Sequence, residues 1–426
     1  MKTLFVTSEA YPFAMSGGLG DVSSALPKAL RQRFVGCRVV LPLYGDTPSE
    51  LVEDMTFVTS LSVPVSWRRQ YCGVFETKRD GVTYYLLDNQ YYFKRSGLYG
   101  FYDDAERFAF LARAVLEMLP YINFYPDLIH CNDWQTALTP VYYKLFYSAN
   151  PGYTDIKTIL TIHNIQYQGQ YGKEILEDVF GIPNYQMNLL EYDGCINLLK
   201  GGIECADAVT TVSPTYAQEI LDPWYSCGLH YILEQRRGKI SGIVNGIDTD
   251  LYDPKTDPAL FAHYTAEDVF EKKAVNKQKL QELLGLEQRP DVPLCVMVSR
   301  LVEHKGLDLV KYVFEELISH DIQLAILGTG DWVYESYLDE MAGRWPGKFS
   351  FTKGFLPELS HRFYAGADLF LMPSKSEPCG LAQMVALRYG TIPVVRKTGG
   401  LSDTITDCGD GMGNGFTFQS FNAHDM

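Results

Sequence analysis

Short apolar runs, alternating with amphipathic stretches, constrain this chain more than any other feature of it. The first seven are Leu4–Thr7, Arg38–Leu41, Thr83–Leu87, Leu128–Cys131, Thr158–Ile162, Ala208–Val212 and Lys239–Val244. Leu294–Val298, Gln323–Leu327, Phe349–Thr352, Leu369–Met372 and Ile392–Val395 follow. Each is nearly continuous in apolar or β-branched residues and bounded by turn residues. That is the signature of strands buried on both faces of a parallel sheet with crossover helices. Helical spacing is clearest over Glu106–Leu119, Gly306–Ile318 and Leu381–Tyr389. The expected class is α/β. With about seven strands before Asn245 and about five after Asp291, two Rossmann-like doubly wound sheets are simpler than one very large sheet. The turn-rich Asn245-Gly246-Ile247-Asp248 divides them, giving expected domains 1–245 and 246–426. A length of 426 residues suits two domains of roughly 100–200 residues each.

Composition removes several function classes. Hydrophobic residues at 46% and charged residues at 21% exclude a disordered or collagenous chain. The formal charge of −15, with no basic tract, argues against nucleic acid or an anionic membrane as partner. No apolar run approaches the roughly 20 residues of a membrane helix. The N-terminus enters a strand-like run without a basic leader or an Arg/Ser-rich presequence. Nine cysteines, odd in number and without a CxxC pair, support neither a disulfide framework nor a zinc site. A cytoplasmic location is expected.

Several loops that follow strands could carry chemistry. Gly17-Gly18-Leu19-Gly20 opens a helical segment after the first strand, where backbone amides and a helix N-terminus can hold an anion. A tight turn without a ligand fits as well, and neither GxGxxG nor a P-loop is present. Arg300 and Lys305 follow the strand Leu294–Val298. Two cations there can neutralise the two or so charges of a diphosphate leaving group. Each is worth roughly 4 kcal/mol at 4 Å and an effective dielectric near 20, before desolvation; a solvated basic pair is the other reading. Glu377 lies in the turn Pro373-Ser374-Lys375-Ser376-Glu377-Pro378-Cys379-Gly380-Leu381. It could bind sugar hydroxyls or offset positive charge at an anomeric carbon, with backbone donors at Cys379 and Gly380. A nucleophilic Cys379 lacks a nearby His.

His130-Cys131-Asn132-Asp133-Trp134 and Thr161-Ile162-His163-Asn164-Ile165 also end strands. A lone His there is commonly structural, but the two sites together suggest a polar cleft. The aromatic run from Tyr91-Tyr92-Phe93 through Tyr99-Gly100-Phe101-Tyr102 is the most sugar-like stretch. Asp248-Thr249-Asp250 matches the DxD pattern of metal-dependent transferases, a short pattern that arises often by chance. Met15-Ser16-Gly17-Gly18-Leu19-Gly20-Asp21 has an echo in Lys397-Thr398-Gly399-Gly400-Leu401-Ser402-Asp403.

Taken together, these motifs resemble the bacterial glycogen synthase and plant starch synthase family, over essentially the whole chain. Ser8-Glu9, Asn245-Gly246-Ile247-Asp248, Lys305-Gly306-Leu307-Asp308, Leu327-Gly328-Thr329-Gly330-Asp331, Tyr364-Ala365-Gly366-Ala367-Asp368 and Ala386-Leu387-Arg388-Tyr389-Gly390 add to the match. The resemblance implies a retaining glucosyltransferase of GT-B architecture, two Rossmann-like domains facing a cleft. It implies transfer of glucose from ADP-glucose to the non-reducing end of an α-1,4-glucan, glycogen or starch, with no metal or other cofactor. Arg300 and Lys305 would bind the diphosphate, and Glu377 with the backbone at Cys379, Gly380 and Leu381 would hold the donor glucose. His163 would sit beside that glucose, with Asn164 next to it. Gly17, Gly18 and Asp21 would approach the donor, and Asn245 and His304 would line its site. Phe355 would stack on the adenine, Thr398, Gly399 and Gly400 would complete the phosphate cradle, and Asp133 would line the acceptor side.

The resemblance also implies several tens of further residues and a terminal helix after Met426. The second domain is therefore expected to be truncated at its end and less restrained in closing, with a lower unfolding temperature than an extended chain. Competing readings are a UDP-glucose transferase, a metal-dependent transferase using Asp248 and Asp250, and a glucan-binding or regulatory relative. An oxidoreductase fits least, because neither half has GxGxxG with an acidic residue about 20 positions on.

One departure bears on activity. The family's opening motif carries Lys where this chain has Met15, so a cation toward the donor is missing. Met15→Lys is expected to lower the donor KM, measured by initial rates at varied nucleotide-glucose; an unchanged KM would refute a role for this position.

Overall fold

The computed structural model describes residues 1–409 and 411–426, and these form two compact units, Met1–Ile243 and Val244–Met426. In the first unit the strands are β1 (Lys2–Val6), β2 (Gly36–Pro42), β3 (Thr56–Val65), β4 (Arg68–Arg79), β5 (Val82–Asp88), β6 (Leu128–Asn132) and β7 (Lys157–Ile162). Then come β8 (Gln170–Tyr171), β9 (Glu191–Tyr192), β10 (Cys195–Asn197), β11 (Ala208–Thr211) and β12 (Ile240–Gly242). Nine of them make one sheet in the order β12-β11-β7-β6-β1-β2-β5-β4-β3, and β8-β10-β9 make a small second one. From β12 to β5 every pairing is parallel. All seven apolar runs expected in this half are strands of that parallel portion.

The antiparallel strands β4 and β3 extend the sheet beyond β5. This hairpin carries no apolar run, because one of its faces meets solvent and its residues alternate instead. The aromatic stretch after β5 departs from expectation too. Tyr92 and Phe93 are fully buried, packed on Phe110, while Tyr91 and Tyr102 are exposed. Their register under the helix Asp104–Glu117 makes the inner pair core.

In the second unit, β13 (Leu294–Val298), β14 (Gln323–Gly328), β15 (Phe349–Lys353), β16 (Leu369–Met372), β17 (Ile392–Arg396) and β18 (Phe416–Phe418) form a wholly parallel sheet, ordered β15-β14-β13-β16-β17-β18. Alternate residues enter different cores. Leu294, Val296, Ala325, Leu327 and Phe370 pack in one, and Cys295, Met297, Leu324, Ile326 and Leu371 in the other. Burial on both faces is why these strands read as continuous apolar runs. The expected helices occur at Asp104–Glu117, Leu307–Ser319 and Ala382–Arg388.

Beneath the aromatic loop lies Arg107, wholly buried. Its guanidinium donates to the carbonyls of Tyr92 at 2.7 Å and Leu98 at 3.1 Å and pairs with Asp104. Removing one partner of a buried ion pair leaves the other uncompensated and costs about 3 kcal/mol or more. Arg107→Leu should therefore lower the thermal midpoint of the first unit by several degrees in calorimetry. An unshifted midpoint would show that the loop does not depend on this anchor.

Candidate active site

In each unit one strand pairs with neighbours on both sides and the chain winds away in opposite directions, which opens a crevice at the carboxyl edge of the sheet. In the first unit this strand is β1, between β2 and β6. In the second it is β13, between β14 and β16. The sequence-predicted residues fall on loops and helix starts that follow the strands of these two sheets.

At the first edge the loop after β1 doubles back onto Glu9, a carboxylate only 4% exposed. Glu9 accepts from the Ser16 amide at 2.6 Å, the Ser16 hydroxyl at 2.7 Å, the Gly17 amide at 3.3 Å and the Tyr99 hydroxyl at 2.7 Å. Gly17 precedes the 15-residue helix Gly18–Gln32 and has nothing within 4 Å of where a Cβ would stand. The glycine turn thus presents open space in front of a helix N-terminus, with Asp21 in the first turn. The Met15 side chain lies against Gly20, whose Cβ position is 2.8 Å from Met15 Cγ.

Asp133, His163 and Asn164 come together across the ends of β6 and β7. Asp133 adopts φ +55°, a left-handed conformation that Asp and Asn tolerate best among residues with a Cβ. One of its oxygens accepts from the His163 amide at 2.7 Å and the Asn164 amide at 3.3 Å. Burial raises this carboxyl to about 7, against the lowering by those two amides, and the charge of Glu9 adds to the rise. Burial likewise holds His163 near 3, with His130 contributing, so its imidazole is neutral. The Asn132 amide group donates to Val6 O at 2.9 Å, which turns its oxygen toward His163 Nε2, 2.9 Å away. His163 therefore carries its proton on Nε2. His130 is structural: it is bonded to Thr161 at 2.6 Å and set edge-on against Phe5.

At the second edge Lys305 Nζ meets Glu377 Oε2 at 2.6 Å. Ser374 Oγ donates to the same oxygen at 3.0 Å, and Glu377 is 6% exposed. Arg300 is exposed at the end of β13, beside Leu301, which is pinned by Thr329 and Asp331 through backbone bonds. His304 gives its carbonyl to the Lys375 amide at 2.8 Å. Burial first, then Lys305 and Arg300, hold its imidazole near 4 and neutral.

The turns here meet backbone to backbone. A Cβ on Gly399 would stand 2.0 Å from the Glu377 carbonyl oxygen, and one on Gly400 2.2 Å from that of Cys379. Gly306, at φ +79°, would put its Cβ 2.0 Å from Pro373 O. The Gly400 amide donates to Glu377 O at 3.2 Å, and Thr398 is buried beside it. The Asn245 amide is directed at the Cys379 sulfur, and burial pushes that thiol up to about 12, so it is no nucleophile. Phe355, 59% exposed, follows β15 on the same edge, two strands from β13 and apart from the Lys305–Glu377 pair.

Four residues hold this arrangement without announcing their role in the sequence. They are Glu9, Asn132, Arg396, which clamps the carbonyls of Ser374 and Lys375, and Gln383, which ties Cys379 O to Thr404. The Ser8-Glu9 pair and the motif His130-Cys131-Asn132-Asp133-Trp134 were the available signals. The DxD residues take another course: Asp248 folds its carboxylate back onto the amides of Asp250 and Leu251, at 3.0 and 3.3 Å.

Comparison with known proteins defines the class first. The family model for the starch synthase catalytic domain matches residues 2–235, and that for glycosyl transferases group 1 matches residues 285–426. The chain is thus a glycosyltransferase of the GT-B type. The glycogen synthases of Geobacillus thermodenitrificans and Geobacillus stearothermophilus are each 51% identical to it over 430 residues, covering all of this chain and 88% of their own. The catalytic domain of starch synthase IV from Arabidopsis thaliana, bound to ADP and acarbose, matches with TM-score 0.94 at 34% identity, over all of this chain and 89% of that one. The chain belongs to the glycogen synthase and starch synthase family and carries its glycosyltransferase function. No helix among the described residues is long and apolar enough to cross a membrane.

The raised Asp133 carboxyl has a pH signature. The folded chain keeps a proton there that the unfolded chain releases near pH 4, so stability falls as pH rises from about 4 to about 7. The limiting slope is about 1.4 kcal/mol per pH unit. Asp133→Asn keeps the φ and the acceptor oxygen, so in melts across this window the variant should gain on the parent as pH rises. A constant difference would show that Asp133 titrates normally.

Proposed function

We propose that this enzyme transfers glucose from ADP-glucose to the non-reducing 4-hydroxyl of an α-1,4-glucan with retention of configuration. The observation that carries the reading is the Lys305–Glu377 contact at the β13–β16 crevice. A cation suited to a diphosphate there adjoins a buried carboxylate suited to sugar hydroxyls. Lys305 has three donors and spends one on Glu377, which leaves two for phosphate oxygens. Arg300 adds a second cation, and Thr398, Gly399 and Gly400 a backbone cradle without side chains in the way. Glu377, with the backbone at Cys379, Gly380 and Leu381, holds the donor glucose. Asn245 and His304 line its site, and Phe355 offers an exposed ring to the adenine. That the starch synthase IV structure was obtained with ADP supports an adenine nucleotide.

From the first unit, Gly17, Gly18 and Asp21 approach the donor. His163 supplies a neutral, fixed group beside the anomeric carbon, with Asn164 next to it, and Asp133 holds the backbone of both while lining the acceptor side. The bond from the anomeric carbon to the diphosphate oxygen breaks as the bond to the acceptor oxygen forms on the same face. The acceptor proton passes to the departing phosphate oxygen. Positive charge at the sugar is offset by Glu377 and the His163 carbonyl, and negative charge at the leaving group by Arg300 and Lys305. Catalysis by placement and fixed charge of this kind needs no metal.

Glu377→Ala and Arg300→Ala should each lower kcat by on the order of 10²–10³, and near-full turnover in both would overturn the assignment. The donor is tested by release of ADP or UDP from each nucleotide-glucose with glycogen as acceptor. Faster UDP release would replace the adenine donor with a uridine one.

A further inference from the structure

The first unit has a second cavity, of about 610 Å³, at the amino ends of its strands and so on the edge opposite the glycine loop. Lys2 at the start of β1, Arg38 in β2, Lys78 near the end of β4 and Arg31 in the last turn of the helix Gly18–Gln32 all line it. No carboxylate does. In a chain with 52 acidic and 37 basic residues, four cations around one acid-free hollow run against the composition. The volume is that of a small-molecule site.

Three of the four cations are held in place by contacts of their own. Arg31 is tethered by Nε to Gly81 O at 3.1 Å. The Arg38 guanidinium lies 4.1 Å over the Phe124 ring and donates to the Tyr85 hydroxyl. Lys2 Nζ sits 5.6 Å from the centre of the same ring. Among the described residues none of the four forms an ion pair. Of the nearby acids, Asp127 accepts the Lys2 backbone amide at 2.6 Å and Glu76 interacts with the Tyr85 hydroxyl; Asp54, Glu76 and Asp80 line the adjoining hollow on the other side of Lys78, outside this cavity. Cys37 contributes only a buried, protonated thiol, pushed up to about 12 by burial.

We propose that this cavity is a non-catalytic anion site that takes a small phosphorylated sugar. A guanidinium fork and two ammonium groups suit a phosphate bearing about two charges, and the hollow leaves room for a sugar ring beside it. Because Lys2, Arg31 and Lys78 are exposed, binding weakens steeply with salt.

The test is calorimetric titration of the full chain with glucose 6-phosphate, and separately with inorganic pyrophosphate, at low ionic strength. Three proteins are compared: the parent, Lys305→Ala and Arg31→Ala/Lys78→Ala. The proposal expects glucose 6-phosphate to bind the parent and the Lys305→Ala protein alike, and the double variant about tenfold more weakly or less. The double variant should keep its melting temperature and its glucosyl transfer rate. Equal binding by parent and double variant, loss of binding in Lys305→Ala alone, or binding of pyrophosphate without the sugar phosphate would each overturn it.

Discussion

The site depends on how one strand in each sheet is paired. Parallel strands joined by crossover helices must wind to one side or the other, and only beside β1 and β13 does the direction change. At those two places adjacent loops diverge and leave the sheet edge uncovered. The residues proposed for donor and acceptor stand on loops or in the first turns of helices that follow strands of these sheets. The chemistry is a consequence of strand order first and of side chains second.

The two edges solve the same problem by different physics. In the first unit a charged side chain organises the backbone: Glu9 collects four donors, and Asp133 collects two amides from the next strand's loop. Both are held without a cation: Glu9 has donors on both oxygens, whereas Asp133 has donors on one only and answers its burial by a raised pKa. In the second unit backbone organises backbone, through glycines that let loops touch, and the charged pair Lys305–Glu377 sits on top of that platform. The first edge is consequently sensitive to pH and the second to bulk.

Both parallel sheets could be read from the sequence because burial on two faces writes apolar residues at every position. The β3–β4 hairpin could not, since one wet face makes it alternate and its arginines and threonines resemble a loop. Tyr92 and Phe93 misled for a related reason: an aromatic run says nothing of which ring faces inward until the helix above it is placed. Lys305 and Glu377 could be singled out as candidates because each lies between a strand and the helix that follows it. Glu9 could not. Its role exists only once the chain has turned back from Ser16, and Arg396 acts on carbonyls some twenty residues earlier that no local pattern connects to it.

The glycine contacts have a genetic corollary. Any single-base change that replaces a glycine either stops translation or installs a residue with a Cβ. At Gly306, Gly399 and Gly400 that atom would lie 2.0, 2.0 and 2.2 Å from a backbone oxygen, closer than any rotamer change can relieve. These three codons have no neutral missense neighbours. Drift in the gene must pass around them, through positions where a side chain already stands.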